Sequence, residues 1–289
     1  ENVAGKLAEF GLRRGMGDLD VRLAPFRAWI AHPDRATDRG MMAELNRVLC
    51  LAHLLRLGYN DDAIREHALA RLETIHRVAA SGQFDILLTE DPADLPRAYR
   101  GRHRVVDPWF TPGGACALPY VHDLHMLAAF PVEWQTAPVA KMVDTVVRYV
   151  LTDQYQSLPS GFGYVRDDSL SPPRYYVLGW DAGLPGYRES LGRSSREYFV
   201  LSLEMMAAFP TARSHRWFLE SLACLDEHQT DRGSWLLPRA WLPEKSVAYW
   251  VTGGHMGLEQ KRRSRAVIER ESTLRVLRLL QRLGRSPLR

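Results

Sequence analysis

The chain has 289 residues, 46% of them apolar, and a formal net charge of +4, enough material for one domain with a large buried core. No stretch approaches the roughly 18 consecutive apolar residues of a membrane span, and the N-terminal residues lack the basic-then-apolar layout of a signal peptide, so we expect a cytoplasmic protein without a membrane span. Cys50, Cys116 and Cys224 are widely spaced and odd in number, which fits a reducing compartment better than a disulfide framework.

Apolar residues at helical spacing define the elements in chain order. The segment CLAHLLRLG, Cys50 to Gly58, precedes a second helical stretch from Asp61 to Ala80, with Asn60 as its cap. The segment DLHMLAAFP, Asp123 to Pro131, precedes a stretch from Pro138 to Tyr155 in which Val139, Met142, Val143, Val146, Val147 and Val150 recur at spacings of three and four. A capping box of Ser194 and Glu197 opens the next helix, which carries SLEMMAAFP, Ser202 to Pro210, and is followed by a stretch from Arg213 to Gln229. A fourth copy, VLRLLQRLG, runs from Val276 to Gly284.

Aligning Leu55, Ala128, Ala207 and Gln281 gives spacings of 73, 79 and 74 residues. The unit is therefore a repeated helical hairpin, and the fold class expected is all-α. We read one domain over residues 1–289, with hairpins near 41–80, 116–155, 195–229 and 270–289. Between hairpins run long segments rich in Pro, Gly and aromatics, through roughly 82–114, 157–193 and 236–265. They contain short β-like pieces, Arg174 to Leu178 and Ser246 to Val251, and such loops on a repeated scaffold are where sites usually sit.

Several residues are placed to carry chemistry. Asp123 lies among apolar neighbours, where a carboxylate needs a reason. Cys116, His122 and His125 surround it at spacings a metal site can use; they also read as ordinary buried or surface residues, and no metal is assigned. Glu197 and Glu271 occupy equivalent positions at the starts of the third and fourth repeat helices, where they serve either as acid–base groups or as helix-dipole compensation. The loops add the acids Asp167, Asp168 and Asp181. Trp180, Tyr187, Trp235, Tyr249, Trp250 and His255 are binding candidates, because aromatic faces beside carboxylates suit a sugar ring or a cation. Residues 260–289 hold ten Lys/Arg against two Glu; without a nucleic-acid module around it, this basic helix reads as a solvated face or an interface.

The third hairpin ends QTDRGSW, Gln229 to Trp235, and the second ends QYQSLPSGFGY, Gln154 to Tyr164. The first resembles the Q-x-G-x-W-type turn of squalene-hopene and oxidosqualene cyclases, and the second is a looser version. The resemblance implies an α/α toroid or partial toroid, related to terpenoid cyclases and prenyltransferase β subunits, with the repeated AAFP-type helices on the inside. It implies an apolar, aromatic-lined cavity, an isoprenoid-like substrate and acid–base work by Asp123, Asp167, Asp168 or Asp181. The acidic proton-donor run and the diphosphate-binding acid cluster of that family have no full counterpart here. Two other readings therefore stand beside it: a carbohydrate-active lyase or hydrolase on the same scaffold, and a non-catalytic ligand-binding or scaffold protein. The cofactor is left unassigned, and a small molecule is the partner expected.

Overall fold

The apolar repeats fold as helices, and each helix stops where a breaker stands. The computed structural model describes residues 2–32, 41–102, 104–112, 116–158, 162–168, 171–179, 182–187, 198–242 and 264–285. These are mostly helical, with one two-stranded sheet, and none of the helices is long and apolar enough to cross a membrane. Contacts divide the chain into two units, one of Leu12–Ala182 and one of Asn2–Gly11 with Gly183–Arg289. The first helix, α1 (Asn2–Glu9), thus belongs with the C-terminal part of the chain.

The Leu12–Ala182 unit holds α2 (Leu19–Ala31), α3 (Met41–Arg56), α4 (Asp62–Ser81), α5 (Val121–Leu127), α6 (Ala137–Val150) and the short α7 (Asp153–Gln156). Of these, α2 lies in a region where the apolar pattern alone marked no element. Val48 through Leu55 of α3 are buried without a break, and α5 buries His122, Asp123, Leu124, Met126 and Leu127. A helix buried on every side is an interior element. By contrast, α4 and α6 each bury one stripe, Ile64, Ala68, Leu72, Ile75 and Val78 in the first and Val139, Val146, Val147 and Val150 in the second. Interior α3 packs along α5, and amphipathic α4 packs along α6.

After α7 the chain forms an antiparallel hairpin of β1 (Phe162–Asp167) and β2 (Arg174–Gly179), with Tyr164 opposite Val177. The β-like stretch at Arg174 is thus a strand, while the one at Ser246 lies outside the described residues. Tyr164 closes a small apolar cluster with Leu95 and Val105 and stacks on Tyr99 at 4.8 Å.

The other unit holds α1, α8 (Phe199–Met206), α9 (Pro210–Arg213), α10 (Arg216–Asp226) and α11 (Arg265–Arg282). Here α8 packs along α11 and against α10. The stretch read as one helix from Arg213 to Gln229 is broken at Ser214, where α9 ends and His215 caps α10 by accepting from Trp217 N.

The two strongest sequence copies share one exit turn. In each unit the helix ends before AAFP: Ala129 N donates to Met126 O and Phe130 N to Leu127 O, and Ala208 N donates to Met205 O and Phe209 N to Met206 O. A proline follows each Phe, removing the next donor and restricting the residue before it. Both phenylalanines are buried.

The glutamine-rich junctions also do local work. Gln156 is buried and donates from Nε2 to Val150 O, at the end of α6, and to Ala182 O, at 2.8 and 3.4 Å. In the QTDRGSW turn, Gln229 and Trp235 pair as an isolated β-bridge around Gly233, whose φ of +78° only glycine adopts freely. Trp235 N donates to Thr273 Oγ1 at 3.0 Å and Leu237 N to Ser272 Oγ at 3.1 Å, while Ser234 bonds Glu269. The turn is thereby fastened to the side of α11.

Candidate functional site

Asp123 meets Arg71 of α4 in a closed, buried ion pair. Arg71 Nε donates to Oδ1 and its Nη2 to Oδ2, both at 2.8 Å. Tyr120 N donates to Oδ2 at 3.1 Å, so the carboxylate also ties back the residue that precedes α5. Arg71 also donates to Cys116 O at 2.6 Å and lies over the Tyr120 ring at 4.9 Å. Burial opposes the guanidinium charge, but the Asp123 carboxylate outweighs it and holds the Arg71 pKa above its ordinary value. Asp123 therefore anchors the 116–120 segment to α4, and both of its oxygens are engaged.

Its neighbours are buried as well. Burial pushes the Cys116 thiol up to about 11 and the His122 imidazole down to about 3, so both are neutral near pH 7. His125 is half-buried on the next turn. Among the described residues no three His, Cys, Asp or Glu side chains come together as a metal site.

Asp167 is the last residue of β1, and Asp168 stands in the turn that follows it. Asp167 is buried, whereas Asp168 is exposed and accepts from Arg166 Nε at 2.6 Å. Arg166 also pairs with Asp94 at 2.8 Å, and Tyr175 donates to the same carboxylate. The two acids therefore do not share a face.

Glu271 is fully buried on α11. One turn on, Arg275 is buried against Glu9 of α1, and Arg278 and Arg282 reach Glu204 of α8 at 3.0 and 3.5 Å. Three arginines of the basic C-terminal run thus spend charge on acids inside their own unit. Trp235 is buried in the turn that grips α11. Asp181, Glu197, Trp180, Tyr249, Trp250 and His255 lie outside the described residues.

Among the described residues, Tyr187 is a sequence candidate that lines a cavity. A half-open groove of about 330 Å³ is lined by Gly186, Tyr187, Phe199, Arg216, Trp217, Glu220, Ser221 and Cys224. The wall is the face of α10 on which Trp217, Glu220, Ser221 and Cys224 recur at spacings of three and four. The 185–187 turn is held against it because Trp217 Nε1 donates to Pro185 O at 2.9 Å and Tyr187 stacks on His215 at 5.8 Å. Phe199 enters from α8, its ring edge-on to Trp241 at 5.0 Å. At the mouth, Arg216 Nε donates to Glu220 at 2.6 Å, both side chains being exposed. Cys224 is half-buried and is not disulfide-bonded.

Sequence reading missed Arg71, Glu9 and Glu204, and in the groove Trp217, Glu220 and Ser221. For Arg71 a signal existed: it falls on the apolar stripe of α4 between Ala68 and Ile75. The groove had none, since its members come from three segments.

The fold and site thus define a mostly helical protein with one small sheet and a polar and aromatic groove. Comparison with family profiles, with curated proteins and with solved structures finds no match to the chain.

Proposed function

We propose that this is a ligand-binding protein built from helical hairpins of the α/α-toroid kind found in terpenoid cyclases, and that the groove beside α10 holds a small organic molecule. The groove is the observation that carries the reading. At about 330 Å³ with three aromatic side chains and a few polar groups, it lies at the lower end of the range for ligand pockets. The toroid kinship draws support from the pairing of interior α3 with α5 and amphipathic α4 with α6, and from the Gln156 and Gln229–Trp235 junctions. A cytoplasmic location belongs to the same reading, because none of the three cysteines is disulfide-bonded.

Cys224 supplies the test. Cys50 and Cys116 are buried, so a thiol reagent labels Cys224 first. A fragment panel screened for slowed Cys224 labelling should yield protectors, and Cys224→Trp, which fills the groove, should lose their binding. A panel without protectors, or binding undiminished in Cys224→Trp, sinks the assignment.

A second reading is an enzyme acting by acid–base chemistry on an isoprenoid-like substrate. It is favoured by Glu271, a carboxylate wholly buried on a repeat helix. Glu271→Gln should then abolish turnover while leaving ligand affinity and folding intact; unchanged turnover removes Glu271 from the chemistry.

A further inference from the structure

We propose that the exposed turn from Arg97 to Arg104, in the Leu12–Ala182 unit, binds the backbone of a single-stranded nucleic acid.

From Leu95 to Val106 the sequence holds four arginines and no acid, and Arg97, Arg100, Arg102 and Arg104 are all exposed. Two tight turns keep them close, Tyr99 N donating to Pro96 O at 2.8 Å and Arg102 N to Tyr99 O at 3.2 Å. The Tyr99 ring, stacked on Tyr164, fixes the turn to β1. Arg100 donates from Nε to Leu95 O and from Nη2 to Ala93 O, at 3.2 and 3.1 Å, and Arg104 from Nη2 to Leu88 O at 2.6 Å. A guanidinium pinned by neutral carbonyls keeps its whole charge and its other N–H groups, so it is held in place and uncompensated. None of the four is ion-paired among the described residues. The nearby Asp94 is taken by Arg166 and Tyr175. The contrast is with α11, whose arginines meet Glu9 and Glu204.

Unpaired arginines in a row suit phosphate groups, whose oxygens accept two N–H bonds from one planar fork. Two further features favour a single strand. Trp109, 40% exposed, follows Arg104 by at most about 18 Å of extended chain, which is within reach of bases whose phosphates the arginines hold. Glu90 and Asp91 are exposed on the segment that supplies the pinning carbonyls. They would repel a broad anionic face such as a membrane, whereas a strand one nucleotide wide can follow the arginines past them.

The test is fluorescence anisotropy of a labelled oligouridylate on the full chain as salt is raised. Four phosphate contacts predict a log–log slope of about −3, which is about fiftyfold in affinity between roughly 50 and 200 mM salt. Arg97→Gln and Arg102→Gln should each flatten the slope by about 0.7. Replacing both by Lys, which keeps the charges, should restore it; that rescue separates charge from misfolding. Trp109→Ala should weaken binding about fivefold or more at every salt concentration and leave the slope unchanged. Arg265→Gln, on α11, should alter neither. Absence of binding at low salt, or a slope untouched by Arg97→Gln and Arg102→Gln, overturns the proposal. Binding to phosphatidylserine vesicles with none to the oligonucleotide assigns the turn to a membrane and overturns it as well.

Discussion

Arg71 and Asp123 carry opposite charges in the interior of one unit, at 1% and 0% side-chain exposure, so each is the other's main counter-charge. Removing one partner leaves an uncompensated buried ion, which typically costs about 3–5 kcal/mol. We expect Asp123→Asn to lower unfolding free energy by about that amount in urea titrations, and the double variant Arg71→Met with Asp123→Leu to recover most of it. A wild-type midpoint in Asp123→Asn would show that the pair is not structural. His122 makes a separate prediction. Its folded pKa is depressed by burial to about 3 against an ordinary 6.5, so the unfolded chain binds the proton first. The stability it supports is full above pH 6.5 and is lost as pH falls from there towards 3, at up to about 1.4 kcal/mol per unit. Urea midpoints measured between pH 7.5 and 4.5 should fall less steeply in His122→Phe than in wild type. Equal slopes would assign the acid sensitivity elsewhere.

Among elements, the AAFP exit turn is the place where the repeat has consequences. Phe130 and Phe209 fill equivalent positions in separate units and are 6% and 4% exposed. Phe130→Ala and Phe209→Ala should therefore each cost about 3–5 kcal/mol, the usual range for a buried Phe, and unequal penalties would mean that the likeness stops at the backbone. The helix α1 is held to α11 by Glu9, whose side chain meets Arg275 and whose carbonyl accepts from Arg278. Replacing Glu9 by Gln removes a charge-assisted bond at a buried guanidinium, worth about 1–3 kcal/mol. Amide exchange along α1 and α11 should quicken as a result; protection equal to wild type would make the contact incidental. The same acids explain why the basic run of α11 is less of an open cationic face than its composition implies.

For the molecule as a whole, ligand occupancy is the lever on stability. A ligand bound only by the folded state at one hundred times its dissociation constant adds about 2.7 kcal/mol. A fragment that protects Cys224 should, at such a concentration, raise the melting temperature of wild type but not of Cys224→Trp, and equal shifts in both would mean that the stabilisation arises outside the groove.

The helical character was legible in the sequence because helical periodicity and its breakers are local. Apolar spacing marked α3, α4, α6 and α8, and Pro131 and Pro210 marked where interior helices stop. The mostly helical character follows from these short-range patterns alone. Asp123 stood out for the same reason, as a charge among apolar neighbours, and Tyr187 because aromatics cluster in its loop. What those residues do is another matter. Arg71 lies 52 positions before Asp123, and Glu9 lies 266 positions before Arg275; no spacing rule links such pairs. Only the folded chain decides that Asp123 spends its charge on an arginine and that Asp167 is buried while Asp168 is exposed. Only the folded chain, too, places Tyr187 beside Phe199, Trp217 and Glu220. Local sequence sets where helices begin and end, whereas the partners of a buried charge and the walls of a groove depend on which distant segments the packing brings together.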